Sequence, residues 1–96
     1  MKVQYHPAVA HDVAVAVQLY RGVSERLAEE FKAELRRTVA MASATPGRFH
    51  LIKPGVHRAN LERFPYHLIY RKLPDGIRVT LVRHHRRNPH VGMGRL

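Results

Sequence analysis

Between Phe64 and Val82 the chain carries two apolar runs joined by a turn signal, and no other stretch limits the fold as much. Phe64-Pro65-Tyr66-His67-Leu68-Ile69-Tyr70 is rich in aromatic and β-branched residues. Ile77-Arg78-Val79-Thr80-Leu81-Val82 alternates apolar with polar until Val82. Leu73-Pro74-Asp75-Gly76 lies between them, where Pro presets φ and Asp-Gly supplies turn chemistry. Two such runs predict a β-hairpin. Arg83-His84-His85-Arg86-Arg87 follows at once, so a rigid hairpin ends in cations and imidazoles.

The rest of the chain supplies layers for this hairpin. Residues 1–5 predict a short strand that His6-Pro7 stops, and Pro suits the first turn of a helix. Val9, Val13, Ala16, Val17 and Tyr20 recur at spacings of three and four, which predicts an amphipathic helix. Gly22 breaks the pattern, and Ser24 is a suitable N-cap with Glu25 in the first turn. Leu27, Phe31, Leu35 and Val39 form a second stripe, opposite the charged Glu29, Lys32, Arg36 and Arg37. Thr45-Pro46-Gly47 ends that helix. Neither helix is long enough to stand alone in water, so the hairpin over about 7–45 must close on a sheet.

Residues 48–55 show little pattern and read as a loop. Val56 to Glu62 reads as a strand, with Val56, Arg58 and Asn60 on one face and His57, Ala59 and Leu61 on the other. The expected order is β-α-α-β-β-β in one domain over 1–96. This is an α+β fold: a helical hairpin on one face of a mainly antiparallel sheet of about four strands. The sheet spans about 56–84 plus the strand at 1–5, which is placed alongside the last strand. Residues 85–96 form a basic tail.

Charge is unevenly placed. The net charge of +10 divides into +1 over residues 1–47 and +9 over residues 48–96, and six of eight histidines lie in the second half. Such asymmetry points to a polyanionic partner, either nucleic acid or an acidic protein segment. There is no cysteine, which excludes disulfides and thiolate metal sites. No stretch reads as a signal peptide or a membrane span, so the expected location is cytoplasmic and no membrane partner is expected. His84, His85 and His90 do not make a metal site. Adjacent strand residues point to opposite faces, and no carboxylate completes a ligand set. No cofactor is expected.

A further set of pieces runs along the chain: Pro7-Ala8 with Asp12, then Leu27-Ala28, Phe31 and Leu35, then Pro46-Gly47-Arg48 and Arg58. Phe64-Pro65-Tyr66, Ile69-Tyr70 and the closing His84, Arg87, Pro89 and Arg95 complete the set. In this order the pieces resemble the RelE/ParE superfamily of type II toxin–antitoxin toxins. Many members carry Trp where this chain has Gly92, so the tail departs from the family's pattern. The resemblance implies a growth-inhibiting toxin neutralised by a cognate antitoxin, with operator DNA contacted through the antitoxin. It leaves two targets open. ParE-like members poison DNA gyrase by binding, and RelE-like members cleave messenger RNA inside the ribosome. The long helical hairpin favours the ParE-like side.

Cleavage by a 2′-OH needs a base, an acid and a cation for the developing charge. On the RelE-like reading His84 acts as general acid, and Arg58 and Arg87 clamp phosphate. Lys53 lies in the patternless loop, and no Glu sits in the helix-to-strand connection to act as base. The alternative is that His84 only caps its strand. Arg83, His85, Arg86, Arg87 and Arg95 are the expected contacts to the target or to nucleic acid. Tyr66 and Tyr70 share one strand face, which reads as core in preference to base stacking. The family's antitoxins wrap their toxins, and Val13, Val17 and Tyr20 are the candidate antitoxin contacts. A basic toxin implies an acidic antitoxin tail.

Overall fold

A computed structural model describes residues 2–96; Met1, included in the expected first strand, lies outside the described residues. The elements are β1 (Lys2–Tyr5), α1 (Val9–Arg21), α2 (Glu25–Ala44), β2 (His50–Lys53), β3 (Val56–Asn60), β4 (Tyr66–Leu73) and β5 (Gly76–His84). They form one mixed sheet in the order β1-β5-β4-β3-β2 with the helical hairpin on one face. Only β1 runs parallel, against β5, a pairing that the long connection between them through the helices permits. The α+β expectation and the seat of β1 hold.

The strand count is five, because β2 falls inside the segment expected to be a loop. All four of its residues are exposed, and it pairs on one side only, with β3. A strand with no buried face has no need of alternation, so it leaves no periodic signal. Its register shifts between Leu51 and Lys53, and Gly55 at φ +76° closes the turn into β3.

Helix limits follow the sequence cues. Ser24 Oγ accepts the Leu27 amide at 3.0 Å, so Ser24 is the N-cap of α2. Ala28, Phe31, Leu35 and Ala42 pack from α2 onto Leu68, Tyr70, Ile77 and Val79 of the sheet. Phe31 is fully buried, and burying such a side chain contributes about 1.5–3 kcal/mol. Tyr20, Phe31, Phe64 and Tyr66 form an aromatic cluster with ring centroids 5.0–6.0 Å apart. Tyr66 and Tyr70 are both core residues; the Tyr70 hydroxyl also donates to the Pro46 carbonyl at 2.6 Å.

Glu34, on the sheet side of α2, carried no sequence signal. It is 8% exposed, and its carboxylate accepts the backbone amides of Glu62 (2.6 Å) and Arg63 (3.2 Å). The helix thereby holds the β3–β4 turn with charge-assisted bonds. The far face of the sheet carries a smaller apolar cluster of Val56, Ile69 and Leu81, covered by Met93 from the tail.

Gly76 lies at the tightest backbone contact. It pairs with Lys2, and a Cβ there would stand 1.8 Å from the Lys2 carbonyl oxygen. Gly76→Ala is expected to push β1 off β5 at a cost of about 1–3 kcal/mol. The change should appear as a lower urea midpoint and faster amide exchange at Tyr5. Gly47→Ala, where a Cβ meets nothing within 4 Å, is the matched control. Equal stability of the two variants would refute the close-approach role.

Candidate functional site

The β4–β5 register decides which candidate residues share a face. Tyr66 pairs with His84, His67 with Arg83, and Ile69 with Leu81, while Arg58 on β3 pairs with Ile69. Side chains alternate along each strand, so Arg58, His67 and Arg83 point away from the helices. His84 points the other way, edge-on to the Tyr66 ring with centroids 5.1 Å apart. His84, Arg58 and Arg87 therefore do not converge. His84 and Arg87 line a cavity beside α1, and Arg58 lies across the sheet from it.

On the far face four side chains form one chain of hydrogen bonds. Arg83 Nε donates to His67 Nε2 at 2.9 Å. An arginine N–H only donates, so His67 Nε2 is the acceptor and its proton sits on Nδ1. That Nδ1–H donates to His85 Nδ1 at 2.9 Å, with the two rings within 9° of parallel. Arg58 Nη2 approaches the same His85 nitrogen at 3.4 Å, and its Nε donates to the Asn60 side chain at 2.8 Å. His85 is left with its proton on Nε2. Both imidazoles are neutral in this pattern, for neither has a lone pair to spare for another proton.

The electrostatics agree. His67 is 1% exposed, and burial first, then the Arg58 and Arg83 charges, push its pKa down to about 3. Burial, Arg58 and His84 also lower His85. His67 was absent from the sequence candidates because a histidine inside an apolar strand reads as core. Its partners became visible only with the register.

The remaining candidates divide into engaged and free. Arg83 Nη1 donates to the carbonyls of Pro89 (2.7 Å) and Val91 (3.0 Å), tying the tail to the sheet. Arg95, expected as a target contact, is engaged within the fold. It pairs with Asp12 at 2.6 Å and donates to the Thr80 carbonyl at 3.1 Å. β1 covers β5 only as far as Val79, so the outer edge beyond it needs other partners. Asp12 accepts the Val82 amide at 3.1 Å and Arg95 supplies the donor for Thr80. Gly92 turns the tail toward this pair at φ +79°, with its Cα so close to Leu81 that a Cβ would come within 2.9 Å. A tryptophan would be strained by that backbone conformation. Arg86 and Arg87 are exposed and in no ion pair among the described residues. Lys53 is exposed on the edge strand β2.

On α1, Val17 is buried and Tyr20 belongs to the aromatic cluster, so both hold the helix to the sheet. Val13 is half-buried in an apolar cleft with Tyr5, Val9 and Val39. The exposed apolar residues of this helix are Val15 at 52% and Leu19 at 62%, with Val23 just beyond its end at 75%. They lie off the core stripe, and the core periodicity drew attention away from them. Among the described residues no three His, Cys, Asp or Glu side chains gather as a metal site, and no helix is long and apolar enough to cross a membrane.

The His67 arrangement has a signed consequence for stability. A folded pKa below the unfolded value means that acid protonates the unfolded chain first. The stability tied to a neutral His67 is whole above about pH 6.5 and is lost as pH falls toward about 3. The slope is up to about 1.4 kcal/mol per pH unit. Urea unfolding of the wild type and of His67→Gln between about pH 4.5 and 7 should differ by this slope. Parallel pH profiles would contradict it.

The family model described as the ParE toxin of the type II toxin–antitoxin system parDE matches residues 3–89. Among solved structures, a chain of the chromosomal ParDE toxin–antitoxin system from P. aeruginosa superposes with a TM-score of 0.74. It is 19% identical, and the match covers 88% of this chain and 95% of that one, which shows a shared fold. No curated protein matches the sequence. With nine-tenths of its length inside the family model and the fold shared, the chain belongs to the ParE toxin family of type II toxin–antitoxin systems.

Proposed function

We propose that the protein arrests bacterial growth by binding DNA gyrase, carries out no chemistry of its own, and is neutralised by a cognate antitoxin. One observation carries the choice of target. The proton-transfer candidate His84 and the phosphate clamp Arg58 lie on opposite faces of the sheet. Cleavage by attack of a 2′-OH, with the 5′-oxygen leaving, needs acid, base and cation around one phosphate, and here the candidate acid and the candidate cation are separated by the sheet. On Arg58's own face, His67 is sealed and held neutral, and His85 is tied to it. Membership of the ParE family supports the same side.

The RelE-like alternative, a ribosome-dependent messenger-RNA endonuclease, retains one specific support. His85 keeps an outward Nε2–H beside Arg58 on a face without a carboxylate side chain. On that reading His85 replaces His84 as the proton donor.

The cognate antitoxin is proposed to carry an acidic tail and to contact operator DNA on behalf of the complex. Complementarity with the +9 half of the toxin supports the tail's charge.

Two experiments test these readings. Purified gyrase, ATP, supercoiled plasmid and the free toxin are expected to yield linear DNA after detergent and protease. Unimpaired gyrase, together with message cleavage on ribosomes that His85→Ala abolishes, would overturn the gyrase reading. Affinity for the antitoxin tail is expected to fall as salt rises from about 0.05 to 0.5 M, because exposed charge attraction is screened. Salt-independent affinity would remove the electrostatic part.

A further inference from the structure

The cavity between α1, the end of β5 and the tail is lined by hydrogen-bond donors. It measures about 160 Å³, and its polar walls come from His11, Tyr66, His84 and Arg87 above the Asp12–Arg95 pair. The single carboxylate in the wall, Asp12, is fully engaged: Arg95 binds it at 2.6 and 3.2 Å, and the Val82 amide at 3.1 Å. His84 Nδ1 accepts the Arg86 amide at 3.0 Å, which places the ring proton on Nε2 as a free donor. Arg87 is exposed and in no ion pair among the described residues. The Tyr66 hydroxyl has no hydrogen-bond partner among the described residues, and because no sealed side-chain atom is left unpaired there, it reaches solvent. Arg87 lines the same cavity as Tyr66; burial raises the Tyr66 phenol and the Arg87 charge opposes that rise.

Three donors from two strands and a turn thus surround one small space whose single carboxylate is already paired. The rim is of a different character. Val15 lines the cavity, and Leu19 continues one helical turn further along α1, both more than half exposed. A nucleic-acid strand needs cations along its path, and this rim offers apolar surface instead.

We infer that this cavity is a carboxylate-binding site for a protein partner. An Asp or Glu side chain of an acidic segment enters it, and a neighbouring apolar residue of that segment lies on Val15 and Leu19. Arg87 forms the bidentate pair, and His84 Nε2–H and Tyr66 O–H donate to the remaining lone pairs. The site stands whether or not gyrase is the target, since its test involves neither gyrase nor ribosomes.

The test is ring-signal NMR of the full chain with three probes: N-acetyl-glutamyl-leucinamide, its glutaminyl counterpart and a thymidine dinucleotide. The acidic peptide is expected to shift the His84 and Tyr66 ring signals, and the neutral peptide to leave them in place. Arg87→Gln, at an exposed position free of ion pairs, should keep the amide spectrum and weaken the acidic peptide about tenfold. Arg26→Gln, on the exposed side of α2, should have no effect. Absence of shifts, equal response to the neutral peptide, or an undiminished response in Arg87→Gln would overturn the site. Tighter binding of the dinucleotide would overturn the carboxylate assignment in favour of phosphate.

Discussion

β5 lies near the centre of the sheet, yet half of its outer edge has no strand beside it. β4 satisfies the inner edge along its length, and β1 pairs only with Gly76 to Val79. Buried backbone groups left without partners are costly, so the Thr80 carbonyl and the Val82 amide have to be met from elsewhere. Asp12 and Arg95, 83 positions apart in the chain, meet them together. Their ion pair is partly buried, so removing either residue strands a charge as well as a strand edge. The course of the tail depends on this closure. Met93 comes to lie on the far-face cluster, and the cavity beside α1 acquires its floor.

The same closure shapes the electrostatics. Asp12 is neutralised by Arg95, Glu25, Glu29 and Glu30 pair on the helices with Arg21, Arg26, Lys32 and Arg63, and Glu34 serves backbone amides. The acids of the second half, Glu62 and Asp75, sit in turns. The titratable groups of the far-face network are guanidinium groups and imidazoles, and burial first, then the neighbouring cations, favours the neutral form of those imidazoles. Such a surface attracts anions.

Much of the fold was legible because its signals are local. The Pro74-Asp75-Gly76 turn, the Ser24 cap and the four-residue stripe from Leu27 to Val39 each act within a few residues of themselves. β2 was not legible, because an edge strand exposed on all sides has no alternation to display. Glu34 was missed because a carboxylate on a helix reads as solvent-facing until a turn from another element closes over it. Of the candidate residues, Arg86 and Arg87 are exposed at the surface. Arg83 and Arg95, identical in type, are drawn inward by carbonyls and a carboxylate that only the folded tail brings near.

The sequence by itself determined the layers, the family and the sign of the surface, because periodicity, turn chemistry and net charge are properties of the chain as written. Tertiary structure decided which of the charged residues act together. Strand pairing puts Arg58 with His67, Arg83 and His85, and it sends His84 to the opposite face, toward Tyr66 and Arg87. Alternation along one strand fixes faces only relative to that strand. The register between strands, with its shift after Ile69, converts those relative faces into one shared surface or two separate ones.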